Sequence, residues 1–188
     1  MKHIAIYCGS SNGASSIYRD EARKLGNILA EQGLNLVYGG ASVGLMGAVA
    51  DGVLEAGGHA TGILPKFLEN REIAHTKLTE LILVDTMHER KQRITDLADG
   101  FIALPGGPGT IEEFFEVFTW GQLALHQKPC GLLNINHYFD PLLAFMSHMF
   151  QEQFIHEKYR PMILLESDAQ VLLEKFRHYQ APSVKTYQ

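Results

Sequence analysis

The stretch FIALPGGPGTIEEFFEVFTW, residues 101–120, decides the fold class. FIALPG (101–106) is apolar without alternation, as expected of a strand covered on both faces. Gly106, Gly107 and Gly109 then break the run, with Pro105 and Pro108 set among them. From Thr110 the apolar residues recur at helical spacing through TIEEFFEVFTWGQLAL (110–125), so a buried strand passes into a helix through a glycine turn.

The same unit repeats along the chain. HIAIYC (3–8), LNLVYG (34–39), HATGILP (59–65), LILVDT (81–86) and CGLLNI (130–135) read as further strands, with MILLE (162–166) a last short one. Helical patterns cover 16–32, ending at Gly33, then part of GASVGLMGAVADGVLEAGG, MHERKQRITDLAD (87–99), YFDPLLAFMSHMFQEQFI (138–155) and DAQVLLEKFRHY (168–179). The polar segment 66–77 has no clear assignment, and the tail after Tyr179 is expected to fray. Apolar strands alternating with helices predict an α/β chain: a doubly wound, mostly parallel, Rossmann-like sheet with helices on both faces. With no repeat, linker or low-complexity segment, residues 1–188 form a single nucleotide-binding domain on this reading.

Composition narrows the function. A chain of 188 residues with 46% hydrophobic and 20% charged residues is that of a globular protein. A net charge of -5 and the lack of a basic arm argue against a nucleic-acid partner. Charges interrupt every apolar run well short of the ~20 residues a membrane span needs, and the opening MKHIAIYCGSS lacks the long apolar core of a secretory signal. Cys8 and Cys130 fall inside strand-like runs, as buried reduced thiols do. A cytoplasmic protein is the expectation.

In a doubly wound sheet, ligands bind beyond the carboxyl ends of the strands. Three glycine-rich turns lie there: CGSSNG, YGGASVGLMG and LPGGPGT, each leading into a helix whose first N–H groups favour an anion. The turns match neither G-x-x-x-x-G-K-[ST] nor G-x-G-x-x-G, which leaves phosphate binding without ATP or dinucleotide chemistry. Nine histidines show no metal-ligand spacing, and Ser10, Ser11 and Ser42 lack partners for a triad, so no metal is expected and the serines read as caps or hydrogen-bond donors to a ligand.

Helical phase separates the two glutamates of the turn. Glu113 shares a stripe with Val117, Trp120 and Ala124, facing the protein, whereas Glu112 shares a polar side with Glu116 and Thr119. Glu112 thus reads as a solvated first-turn acid favouring the helix dipole. An inward Glu113 needs a use. That use is catalysis or a capping box, since Thr110 and Glu113 also fit T-x-x-E. Arg90 of MHERK is likewise in phase with Ile94 and Leu97 and needs an anion, either Glu113 or a ligand phosphate.

Together IYCGSS, YGGASVGLMGAVADG, MHERK and LPGGPGTIEEFFEVFTWGQLALHQKPCGLL resemble the LOG ("Lonely Guy") cytokinin riboside 5'-monophosphate phosphoribohydrolases, a group also labelled lysine decarboxylases. The resemblance spans about residues 3 to 155, and its PGGxGTxxE pattern here ends on Glu113. It implies a Rossmann-like homodimer that hydrolyses the N-glycosidic bond of N6-substituted AMP, or of AMP, to free base and ribose 5-phosphate without a cofactor. It also implies Glu113 and Arg90 as catalytic residues. The substrate would be held by Gly106, Gly107, Gly109 and Thr110, with Met87, Lys91, Ser10 and Gly40. Two departures bear on base-pocket shape: Ile94 stands where methionine is expected, and Ala41 replaces a third glycine. Two other readings of the same turns are a non-catalytic nucleotide or cofactor carrier and a pyridoxal-phosphate decarboxylase, for which Lys91 is the lysine nearest the cleft.

Overall fold

The computed structural model describes residues 1–68 and 74–183, so part of the unassigned 66–77 segment and the last residues of the tail lie outside the described residues. Seven strands form one sheet: β1 His3–Tyr7, β2 Asn35–Tyr38, β3 Ala60–Pro65, β4 Glu80–Val84, β5 Gly100–Ala103, β6 Cys130–Leu133 and β7 Ile163–Glu166. Every pairing is parallel, in the order β4-β3-β2-β1-β5-β6-β7. The helices are α1 Ser16–Glu31, α2 Gly44–Glu55, α3 Met87–Leu97, α4 Pro108–Gln122, α5 Asp140–Gln151 and α6 Ala169–Arg177. The doubly wound α/β architecture is as the alternating pattern predicts.

Strand alternation divides the core in two. Ile4, Ile6 and Cys8 face α1, α2 and α6, while Ala5 and Tyr7 face α3, α4 and α5. β4 departs from the expectation of strands buried on both faces. It is an edge strand, and Leu81 and Leu83 are about two-fifths exposed.

Two glycines let α1 and α2 cross almost backbone to backbone. A Cβ on Gly26 would lie 2.3 Å from the Val49 carbonyl oxygen, and one on Gly52 would lie 2.2 Å from that of Arg23. Any side chain at either position would force these helices apart and open the core beneath them. That packing holds the turns after β1 and β2 against one another. The Leu45 N–H at the start of α2 donates to the Gly9 carbonyl, 3.0 Å away.

The strand order reverses between β1 and β5, and this is where a doubly wound sheet opens a crevice. The turns that follow these two strands are joined directly, since the Gly9 N–H donates to the Pro105 carbonyl at 3.0 Å.

Candidate active site

The glycine turn after β5 starts α4 earlier than the pattern suggests. Gly107 is the N-cap, with Pro108 at the first helical position, where its missing N–H leaves nothing unsatisfied. Thr110 is therefore inside the helix and buried, and its N–H donates to the Gly107 carbonyl at 3.1 Å. The Thr110–Glu113 capping box does not form. The T-x-x-E cap of this protein is Thr86–Glu89, on α3: Thr86 Oγ1 accepts from the Glu89 N–H at 3.0 Å, and the Glu89 carboxylate accepts from the Asp85 N–H at 2.8 Å.

An earlier start also moves Glu112 out of the first turn of α4, where the dipole would have favoured it. It is exposed and pairs instead with the Lys91 ammonium, which also lies 3.5 Å from Glu116. Ala124 falls beyond α4, exposed and with φ 57°, so it leaves the inward stripe of Glu113 and Val117.

The turn itself is tightly built. A Cβ on Gly106 would fall 2.1 Å from Thr110 Oγ1 and 2.8 Å from the Gly9 nitrogen, so no other residue fits. Pro108 has no N–H and that of Thr110 is used. Among the described residues, the N–H groups of Gly107 and Gly109 make no hydrogen bond within the chain, and these are the free donors of a helix start.

A cleft of about 350 Å³ opens over these donors, between the ends of β1, α3 and α4. Ser10, Met87, Arg90, Lys91, Gly107, Gly109, Thr110 and Glu113 all line it. Gly106 lies behind the wall, and Gly40 is elsewhere. Gly40 has φ +83°, its carbonyl accepts from the His75 N–H at 2.9 Å, and its Cα packs beside Gly62 and Leu64. Its role is a turn between β2 and α2. Its neighbour Gly39 meets the site instead, as do Cys8 and Met46 on the cleft wall; the sequence pattern singles out none of the three.

Arg90 is 4% exposed, and its Nη2 donates to the Gly39 carbonyl at 3.1 Å. A Cβ on Gly39 would lie 2.0 Å from that nitrogen, so the glycine is the seat of the guanidinium. Burial pushes the Glu113 carboxyl up to about 7, from an ordinary value of 4.5. The positive charge of Arg90 opposes that rise most strongly, Glu112 and Glu116 add to it, and Lys91 draws it back. The cleft therefore combines free backbone donors at a helix start, a fixed guanidinium and a carboxylate that changes charge near neutral pH. Such a set can hold an anion and move a proton beside it. Among the described residues no group of three or more His, Cys, Asp or Glu side chains is placed to bind a metal, and no helix is long and apolar enough to cross a membrane.

Known proteins resemble the chain at two levels. The family described as "Possible lysine decarboxylase" matches residues 46–176. The cytokinin riboside 5'-monophosphate phosphoribohydrolase LOG of Oryza sativa subsp. japonica is 46% identical over 179 residues, covering 95% of this chain and 74% of that protein. The corresponding LOG2 of Arabidopsis thaliana is 45% identical over 179 residues, covering 95% and 84%. Among solved structures, the molybdenum cofactor carrier protein of Chlamydomonas reinhardtii superposes with a TM-score of 0.73 at 19% identity, over 95% of this chain and 99% of that one. The molybdenum cofactor binding protein of Rippkaea orientalis gives 0.71 at 22% identity, over 94% and 96%. At those identities the structures share a fold and nothing further follows. The sequence relatives go beyond fold, and by them the chain belongs to the cytokinin riboside 5'-monophosphate phosphoribohydrolase (LOG) family.

Proposed function

We propose that this protein hydrolyses the N-glycosidic bond of a nucleoside 5'-monophosphate, AMP or its N6-substituted cytokinin forms, to free base and ribose 5-phosphate. One observation carries the reading: a carboxylate that titrates near neutrality, Glu113, lines the same cleft as unused helix-start donors. The 5'-phosphate binds the N–H groups of Gly107 and Gly109, where the α4 dipole adds to the attraction. With the phosphate held, the sugar is fixed against Glu113. Breaking the C1'–N bond builds positive charge on the ribose, which the ionised carboxylate stabilises. Water attacks C1' as the bond electrons leave with the base. Glu113 takes the water's proton and later releases it to solvent, and the departing base nitrogen takes one proton from solvent. Arg90 keeps enough of Glu113 ionised for this to proceed at neutral pH.

The two rival readings fit the cleft less well. A carrier has no use for a partly buried carboxylate held at a raised pKa. Schiff-base chemistry needs a neutral lysine. Burial alone would lower the Lys91 pKa, but the carboxylates of Glu112 and Glu116 outweigh it and hold the ammonium above its ordinary value. The homodimer implied by the family resemblance and the cytoplasmic location expected from the sequence belong to this proposal, and light scattering of the purified protein tests the first.

Incubating the protein with AMP and with isopentenyladenosine monophosphate, and following free base by chromatography, tests the function. Release from the monophosphates but not from the matching ribosides or triphosphates is the expected result. Saturable AMP binding without any adenine release would establish the carrier instead.

A further inference from the structure

Gly107 separates two hollows. On one side is the Glu113 cleft; on the other is a hollow of about 330 Å³ with Tyr18 and Tyr138 in its wall. The Tyr138 hydroxyl donates to the Gly106 carbonyl at 2.6 Å. That carbonyl and the Gly107 N–H belong to one peptide unit, which is trans, as are all in the described chain. In a trans unit C=O and N–H point in opposite directions. A bond that fixes the Gly106 carbonyl on the Tyr138 side therefore turns the Gly107 N–H away from it, toward the Glu113 cleft.

A linkage between two glycines needs such a restraint. Neither residue has a Cβ to bar the flipped peptide, since positive φ is open to both. Flipped, the unit would aim a carbonyl oxygen into the cleft in place of a donor. The neighbouring peptide is already held, by the Gly9 N–H on the Pro105 carbonyl, so the 106–107 unit is the loose one.

Tyr138 is itself well anchored. It follows Asn136 and His137, both at positive φ, in a turn that Asn134 braces. Asn134 Nδ2 donates to Asp140 Oδ1 at 2.7 Å, and Asn134 Oδ1 accepts from the Phe139 N–H at 2.8 Å. The Tyr138 ring sits edge-on to Tyr18 and to Phe139.

We propose that Tyr138 is a positioning residue for phosphate recognition: its hydroxyl locks the Gly106–Gly107 peptide so that the Gly107 N–H faces the substrate phosphate. This rests on the reading of the α4 start as the phosphate site, and its test does not need turnover. Tyr138→Phe keeps the ring contacts and removes only the hydroxyl. In a Glu113→Gln background, where bound nucleotide persists, calorimetry gives the Kd of AMP, adenosine and inorganic phosphate with and without Tyr138→Phe. Thermal midpoint and near-ultraviolet circular dichroism report the fold. The expected result is a rise of about tenfold in Kd for AMP and for phosphate, with adenosine unchanged and the fold intact. Unchanged AMP and phosphate affinity in a folded variant would overturn the proposal. So would equal weakening of AMP and adenosine, which would mean that Tyr138 acts through the fold at large. Failure of the enzymatic reading shows separately, as an absence of base release by the protein with both Glu113 and Tyr138 in place.

Discussion

Helices α3 and α4 both line two hollows, and these differ in everything but the helices that build them. At the N-terminal ends lies the cleft of about 350 Å³ with Arg90 and Glu113. Further along the same helices is a larger hollow, about 480 Å³, with Gln92, Thr95 and Asp96 from α3, Trp120 from α4 and the 125–128 segment. There the polar groups satisfy one another. Lys128 Nζ donates to the Thr95 carbonyl at 2.7 Å and Thr95 Oγ1 to that of Lys91 at 2.9 Å. Burial lowers the His126 pKa, and the neutral ring has both nitrogens engaged, by the Val117 carbonyl and the Lys128 N–H. In the smaller cleft two backbone donors remain unused and a carboxylate is held against its preferred charge state. The size of a hollow does not mark a site; unused hydrogen-bonding capacity and a group kept under electrostatic stress do.

The contrast can be broken most sharply at Glu113. Glu113→Gln is expected to lower base release from AMP about 10³-fold, a general-base-sized loss, with AMP affinity close to that of the unaltered protein. Turnover near the original rate in the chromatographic assay would return Glu113 to a structural role. Next in size is Arg90→Met, with a loss of about 10²-fold. It carries a second signature, because the guanidinium opposes the rise in the Glu113 pKa. The acidic limb of kcat/KM, expected near pH 7 in the unaltered protein, moves to higher pH in this variant. Gly39→Ala, which drives a methyl into Arg90 Nη2, should move the limb the same way by less.

Stability against pH gives a smaller effect of definite sign. Because the Glu113 pKa is raised to about 7 in the folded chain, folding binds a proton between about pH 4.5 and 7. The contribution is fully present below the unfolded value and is lost as pH rises through the folded one. Glu113→Gln should therefore flatten this decline and gain about 3 kcal/mol relative to the unaltered protein at pH 8, measured by denaturant unfolding. The smallest expected effect is the control at the larger hollow. Gln127→Ala should leave base release within about twofold, as for a surface change remote from the chemistry. A large loss there would mean that the wrong hollow has been identified.

Much of this site is legible before any coordinates. The inward phase of Glu113 and the outward phase of Glu112 follow from 3.6 residues per turn, and the structure keeps that division in burial, Glu112 exposed and Glu113 half-buried, while both reach the cleft wall. Arg90 is legible for the same reason, as a charge in phase with Ile94, which is 1% exposed. The T-x-x-E pattern is ambiguous because it occurs twice, at Thr86 and at Thr110, and only the first residue of each helix tells which is a cap. Pro108 fixes that start for α4, three residues before a cap at Thr110 would allow. Gly39 and Gly40 are also indistinguishable as letters. One turns the chain at φ +83° and the other seats a guanidinium from another helix.

The sequence alone determined the strand and helix alternation, hence the doubly wound class, and the faces on which Glu113 and Arg90 lie. These are local periodicities, set by backbone geometry over a few residues. The strand order was decided only in three dimensions, and with it the opening between β1 and β5 beside which the candidate site lies. The contacts that build the candidate site belong to the same level. Arg90 meets Gly39 across 51 positions of chain, and Tyr138 meets Gly106 across 32. No period in a sequence encodes such distances. They exist because a parallel sheet brings the carboxyl ends of all its strands to one rim, where distant turns become neighbours.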